Sequence, residues 1–326
     1  MARQLPAVAP TEGRAVSNDY RQVDSFESTA PTAAAVGRQL VAFSIDSSVV
    51  TVAGSQRERI EHGQRIVDIA VAGRILVLSP GLLTAYTSEG DQLWSQRIEN
   101  ADSIAASPTD DCCGVLGTDQ LRLVDIDTGH DQSTVERPRP GSPDDVFLAT
   151  ENGFVYGTWS FLTGVDTDGE LLFDRDLSAV VRSVGYCHGA VVAALQSGKH
   201  VGVAPAIGDT AWQLELEPTH VGPLGGESVF VTSNTGIHIV SADGVSEPVP
   251  ELPAGDVYAT AGGEVVCTVR DGLISTHVHN RDRIEVDVKT STVGVGGTVD
   301  IEVTNRSDES QTVELSVGLD NCSFSP

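Results

Sequence analysis

Between residues 38 and 288 the hydrophobic positions fall in short runs, each closed by Gly, Pro, Asn or Asp. One unit shows the order. Residues 66–71 are apolar but for Asp68, and Gly73 turns the chain. Residues 74–78 follow up to Pro80-Gly81, residues 82–86 run up to Ser88-Glu89-Gly90, and residues 92–95 close the unit. Short runs rich in Val, Ile and Leu, bounded by turn residues, predict antiparallel strands. No stretch keeps an i, i+3, i+4, i+7 pattern through three turns, so no long helix is predicted.

A turn residue able to adopt φ > 0 recurs at Gly54, Gly90, Gly129, Gly169, Gly208 and Gly244, with Asn280 as the permitted substitute. The intervals are 36 to 40 residues. Such a period in strand-rich sequence marks a stacked or radial repeat. Four short antiparallel strands per unit make a propeller blade, and seven markers predict seven blades. The expected fold is all-β: a seven-bladed β-propeller of four-stranded blades with a short β-rich, immunoglobulin-like C-terminal extension. Residues 1–37, with Ala, Pro, Ser and Thr clusters and no persistent period, read as a flexible N-terminal tail with at most one short docked strand near Arg21 to Phe26. The propeller is expected over 38–282 and the extension over 283–326. Residues 283–288, 298–305 and 311–317 alternate strictly. The extension is less than half the roughly 100 residues of a full sandwich. It is either a small appendage or a module completed by another chain.

Several units resemble the pyrroloquinoline-quinone-type propeller repeat, which carries an Ala-x-Asp-x-x-x-Gly-x-x-x-Trp-like pattern across its third and fourth strands. Ala85, Gly90 and Trp94 follow it, as do Asp125 with Gly129, and Asp166 with Gly169 and Phe173; Gly208 and Trp212 form a looser copy. The resemblance implies that Trp94, Phe173 and Trp212 pack between adjacent blades. It is specific for fold and weak for function, because such propellers serve both as enzymes and as protein-binding scaffolds.

The chain has 46 Asp and Glu against 20 Lys and Arg, a net charge of −26. Such a surface repels phosphate backbones and anionic lipid, so neither nucleic acid nor membrane insertion is expected. Only Lys199 and Lys289 are lysines. This acid-rich, lysine-poor balance resembles proteins of salt-in halophilic archaea, where molar salt shortens the Debye length to roughly 3 Å. No signal peptide is legible at the N-terminus, and Asp68 and Arg74 interrupt the most apolar long stretch. Cys112, Cys113, Cys187, Cys267 and Cys322 show no CxxC spacing. Buried thiols in a reducing cytoplasm fit this better than a disulfide framework.

No nucleophile elbow, Ser-His-Asp order, Walker loop or dinucleotide fingerprint is present, so no catalytic, cofactor-binding or metal residue is assigned. Cys112-Cys113 could close a vicinal disulfide of the kind used beside the cofactor in quinone-dependent propellers; two structural thiols are favoured. The Asp125/Asp127 and Asp166/Asp168 turns lack the further oxygen ligands of a calcium loop. His277 and His279 share a strand face without a visible third ligand. The remaining candidate is a surface. The turns joining second to third strands share one propeller face with the interblade loops. That face is expected to carry Trp159, Phe161, Lys199, His200, Asn234 and Arg270. Trp159 stands where other units carry small or polar turn residues. The expected function is a non-catalytic scaffold binding another protein through this face. The alternative is an enzyme or small-ligand binder using the central channel with a metal or quinone.

Overall fold

The structure is a computed structural model. It describes residues 20–279 except for stretches of one to four residues, together with the strands Ile284–Val288 and Ile301–Asn305. Seven four-stranded antiparallel sheets make up the propeller. Six are continuous in sequence. Their first strands are Ala34–Val36, Asp68–Val71, Ala101–Ala106, Val146–Thr150, Val181–Cys187 and Pro218–Pro223, for blades 1 to 6. Blade 7 combines Asp256–Ala259, Val265–Arg270 and Leu273–His279 with the N-terminal strand Tyr20–Glu27 as its outermost member.

That closure differs from the expected tail. Tyr20–Glu27 spans the docked strand expected near Arg21 to Phe26, and Ala34–Val36 opens blade 1. The alternation of Tyr20–Glu27 is hidden because its register shifts between Gln22 and Asp24, leaving Val23 as a bulge. Asn280, the seventh turn marker, lies outside the described residues. The fourth strand of blade 7 comes from the other end of the chain.

The middle strands are covered on both faces by neighbouring blades, so Ile75–Ser79 is buried at every position and reads as one apolar run. The outer strand Gln92–Arg97 is largely exposed and reads as polar. Among the described residues the core is divided into seven apolar layers, one between each pair of adjacent blades. Trp94 belongs to the layer between blades 2 and 3, Phe173 to that between 4 and 5, and Trp212 to that between 5 and 6.

Around the axis, polar side chains staple the first strands together. Asp68 accepts from Ser103 Oγ at 2.6 Å and from the Ile104 amide at 2.8 Å. Ser183 Oγ accepts from the Val221 amide at 3.1 Å. Burial pushes the Asp68 carboxyl up, opposed by these hydrogen bonds.

Residues 1–279 and 280–326 are two separate compact units. In the second, Ile284–Val288 pairs antiparallel with Ile301–Asn305. The strand expected over 311–317 lies outside the described residues.

Candidate functional site

Trp159 sits in the two-residue turn closed by the Thr158–Phe161 pair. Tight hairpins of this length need φ > 0, which Asn, Asp and Gly supply readily. The equivalent turns of blades 1 and 7 use Asp46 at φ 56° and Asp271 at φ 51°. Trp159 adopts φ 54° and is 65% exposed. Left-handed backbone costs a bulky L-residue about 1–2 kcal/mol. Folding alone therefore does not favour tryptophan here.

The turn itself is firmly held. The amide of Val181 donates to the Trp159 carbonyl and that of Leu177 to the Ser160 carbonyl, both at 2.8 Å. Phe161 is half-buried, with the Arg139 guanidinium 3.5 Å from its ring centroid. Arg139 forks onto Asp174 at 2.5 and 2.7 Å, and Thr163 Oγ1 adds a third hydrogen bond to that carboxylate at 2.9 Å. The Arg139 hydrogen bonds hold the Asp174 carboxyl below its ordinary value, against partial desolvation.

Beneath the turn lies a buried ion pair. Arg137 and Asp145 have side chains only 2% and 6% exposed, with Nη2 and Oδ2 2.5 Å apart. Arg137 also donates to the Gly117 carbonyl at 2.7 Å and to Thr158 Oγ1 at 2.5 Å, and it lies over Tyr156 at 4.8 Å. This ties the end of blade 3 to the second strand of blade 4. His62 occupies the corresponding place between blades 1 and 2. Its Nε2 is 2.5 Å from Ser79 Oγ and its Nδ1 is 2.7 Å from the Tyr86 hydroxyl. Ser79 and Thr158 both end the second strands of their blades.

The other expected contacts differ among themselves. Lys199 is half-buried and 3.8 Å from Glu215; Arg270 is exposed and 3.3 Å from Asp271; Asn234 is exposed in its turn. His200 is a correction. Its residue is 0% exposed, and burial pushes its imidazole down to about 4. Strand alternation explains this: Lys199 starts the strand at the surface, and the next side chain turns into the interblade layer.

Sequence reasoning missed Arg137, Arg139 and Asp145. One signal was available in the run Arg137-Pro138-Arg139-Pro140, where two arginines alternate with two prolines. Asp145 lies eight residues from Arg137 and Asp174 lies 35 from Arg139, and both pairs form across the seam of blades 3 and 4.

The cysteine pair lies within the strand Cys112–Gly117, both side chains buried and neither in a disulfide. Successive strand side chains point to opposite sides, which separates the two sulfurs. Burial pushes the Cys113 thiol up, as it does that of Cys187, to about 11. The acidic turns use their own carboxylates. Asp125 Oδ1 accepts from the Thr128 amide and hydroxyl, both at 2.7 Å, and Asp166 Oδ1 from the amides of Asp168 and Glu170. His277 is buried against Thr268, while the side chain of His279 lies outside the described residues. Among the described residues, no group of three or more His, Cys, Asp or Glu could hold a metal ion, and no helix is long and apolar enough to cross a membrane.

The axis holds a cavity of about 1090 Å³, lined by first-strand residues including Ile69, Ile104, Phe147, Val184, His220 and Val221. Among the described residues, His220 Nε2 has no hydrogen-bond partner, and the ring stands 5.1 Å from that of Tyr258.

No protein-family model matches the chain, and no curated protein matches it. Solved structures do. A chain in the crystal structure of a mitotic checkpoint complex is 11% identical, with a TM-score of 0.63 over 86% of this chain and 98% of that one. The Pan2 WD40 domain of Neurospora crassa is 12% identical, with a TM-score of 0.64 over 80% and 96%. The β-propeller domain of Cps50 (Swd1) from Myceliophteria thermophila is 14% identical, with a TM-score of 0.61 over 80% and 100%. The chain is a seven-bladed β-propeller with WD40 propellers among its structural neighbours.

Proposed function

We propose that this protein is a non-catalytic propeller scaffold that binds another protein through the face bearing the second-to-third-strand turns, with Trp159 as the anchor. The carrying observation is that a 65% exposed tryptophan occupies left-handed backbone at φ 54°. Strain kept at an exposed aromatic points to a role in binding, since such anchors dominate interface energetics. Phe161, Lys199, Asn234 and Arg270 belong to the same face, whereas His200 does not contribute from its buried position. A neighbour found in a mitotic checkpoint complex supports protein partners as the class. A quinoprotein-like repeat ancestry, a halophilic archaeal source and a cytoplasmic location complete this reading. The test is affinity capture from host extract in molar KCl, comparing wild type with Trp159→Ala. A stoichiometric partner lost with the variant supports the proposal; equal recovery overturns it.

The axial cavity favours a second reading, a small ligand in the channel, because its wall mixes apolar strand residues with polar groups such as Asp68 and His220, whose Nε2 has no hydrogen-bond partner among the described residues. A stoichiometric metal or a quinone absorption band in protein purified from its host would make this the preferred reading.

A further inference from the structure

Arg182 follows Val181, whose amide donates to the Trp159 carbonyl at 2.8 Å, which brings the backbone at Arg182 next to the Trp159 turn at the seam of blades 4 and 5. The register of the first strand of blade 5 shifts between Val181 and Ser183, which makes Arg182 the bulged residue. Bulges re-aim a side chain and recur beside functional sites. Arg182 is exposed and, among the described residues, makes no ion pair. That is unusual here. With 46 acidic residues in the chain, Arg57, Arg74, Arg122, Arg137, Arg139 and Arg175 all find a carboxylate. Arg65 is also exposed without an ion pair, but no exposed large apolar residue lies near it in its interblade loop.

We propose that Trp159 and Arg182 form a two-point anchor for an acidic segment of the partner. The indole takes an apolar side chain and the guanidinium takes a neighbouring carboxylate. This rests on the Trp159 face being the binding surface. The guanidinium fork matches a carboxylate with two parallel hydrogen bonds. The other cations at the turn are already engaged, Arg137 by Asp145 and Arg139 by Asp174. A basic segment would meet an uncompensated positive charge, and a neutral one would leave it unpaired. The −26 charge repels an acidic segment at long range, but at molar salt the Debye length is about 3 Å and contact chemistry decides.

The test is tryptophan fluorescence of the full chain in molar KCl, titrated with three blocked peptides of equal length. Each carries one leucine, flanked by Asp and Glu, by Asn and Gln, or by Lys and Arg. The acidic peptide is expected to give a saturable change and to bind about tenfold tighter than the neutral one. Arg182→Ala should reduce it to the neutral level without moving the thermal melt. Equal binding of acidic and neutral peptides, preference for the basic one, or indifference to Arg182→Ala overturns the anchor. No saturable response to any peptide also overturns it, while the Trp159 face is judged separately by partner capture with Trp159→Ala.

Discussion

Trp94, on the outer strand of blade 2, lies against the Cα of Gly129 in blade 3. A Cβ placed on that glycine would come within 2.7 Å of the indole. The indole N–H donates to the Ile126 carbonyl at 2.8 Å, fixing the ring over the turn. The same relation recurs around the ring: Ile60 on Gly90, Val135 on Gly169, Phe173 on Gly208 and Trp212 on Gly244. Each of these glycines has positive φ. The repeated glycine is therefore both a turn former and the socket for the neighbouring blade. Gly54 departs from the series, since nothing approaches within 4 Å of a Cβ there. Its neighbour is the closing strand Tyr20–Glu27.

Trp94→Ala should destabilise the fold by roughly 3–5 kcal/mol through the cavity left between blades. Gly129→Ala should also destabilise, because one added methyl meets the ring and the backbone at φ 75°. Denaturant titration of both variants tests the pairing; a neutral Gly129→Ala would break it.

Deleting residues 1–27 removes the outer strand of blade 7 and uncovers Phe230, against which Tyr20 packs at 6.4 Å. A fall in Tm of about 10 °C or more is expected, beyond the roughly 2–4 °C that one kcal/mol moves a domain of 150–250 residues. Deleting only residues 1–19 should leave the ring strands in place and the melt nearly unchanged.

Arg137→Ala leaves the Asp145 carboxylate buried without its guanidinium. Breaking a buried pair from one side costs about 3–5 kcal/mol. The double change Arg137→Met with Asp145→Leu should recover most of this. A single variant as stable as wild type would show that the clasp between blades 3 and 4 carries no weight.

His200 gives a pH dependence of known sign. Its folded-state value lies at about 4, below the ordinary 6.5, so the folded protein holds the ring neutral. The stabilisation is complete above 6.5 and is lost as pH falls towards about 4. A loss of up to roughly 3 kcal/mol follows at about 1.4 kcal/mol per unit. His200→Leu should lack this component, so wild type and variant should diverge in that window during urea melts. Parallel curves would place the ring in water.

Trp159→Asn should raise stability by about 1 kcal/mol, because asparagine tolerates the left-handed turn and the indole buries little. Partner capture should fall in the same variant. A less stable Trp159→Asn would mean that the indole supports the fold.

The sequence by itself determined the repeat, the four strands per unit and the seven blades. Each blade's strands are neighbours in the chain, and Gly90, Gly129 and their equivalents punctuate them at a near-constant period. The resemblance to the quinone-type propeller repeat also implied that Trp94, Phe173 and Trp212 pack between blades, where they lie. Trp159 was legible as a departure from that repeat. Ring closure was not, because Tyr20–Glu27 pairs with Leu273–His279 from the far end of the ring and a bulge at Val23 masks its alternation. Nor was the site beneath Trp159. Arg137 meets Asp145 and Thr158, and Arg139 meets Asp174, 35 residues on, only after blades 3 and 4 are set face to face. His200 was misplaced for a related reason: one step along a strand exchanges surface for interior, and only the packed neighbour fixes which side chain is which. Local periodicity specifies the blade, whereas contacts between blades join residues about one repeat apart, and tertiary structure alone selects them.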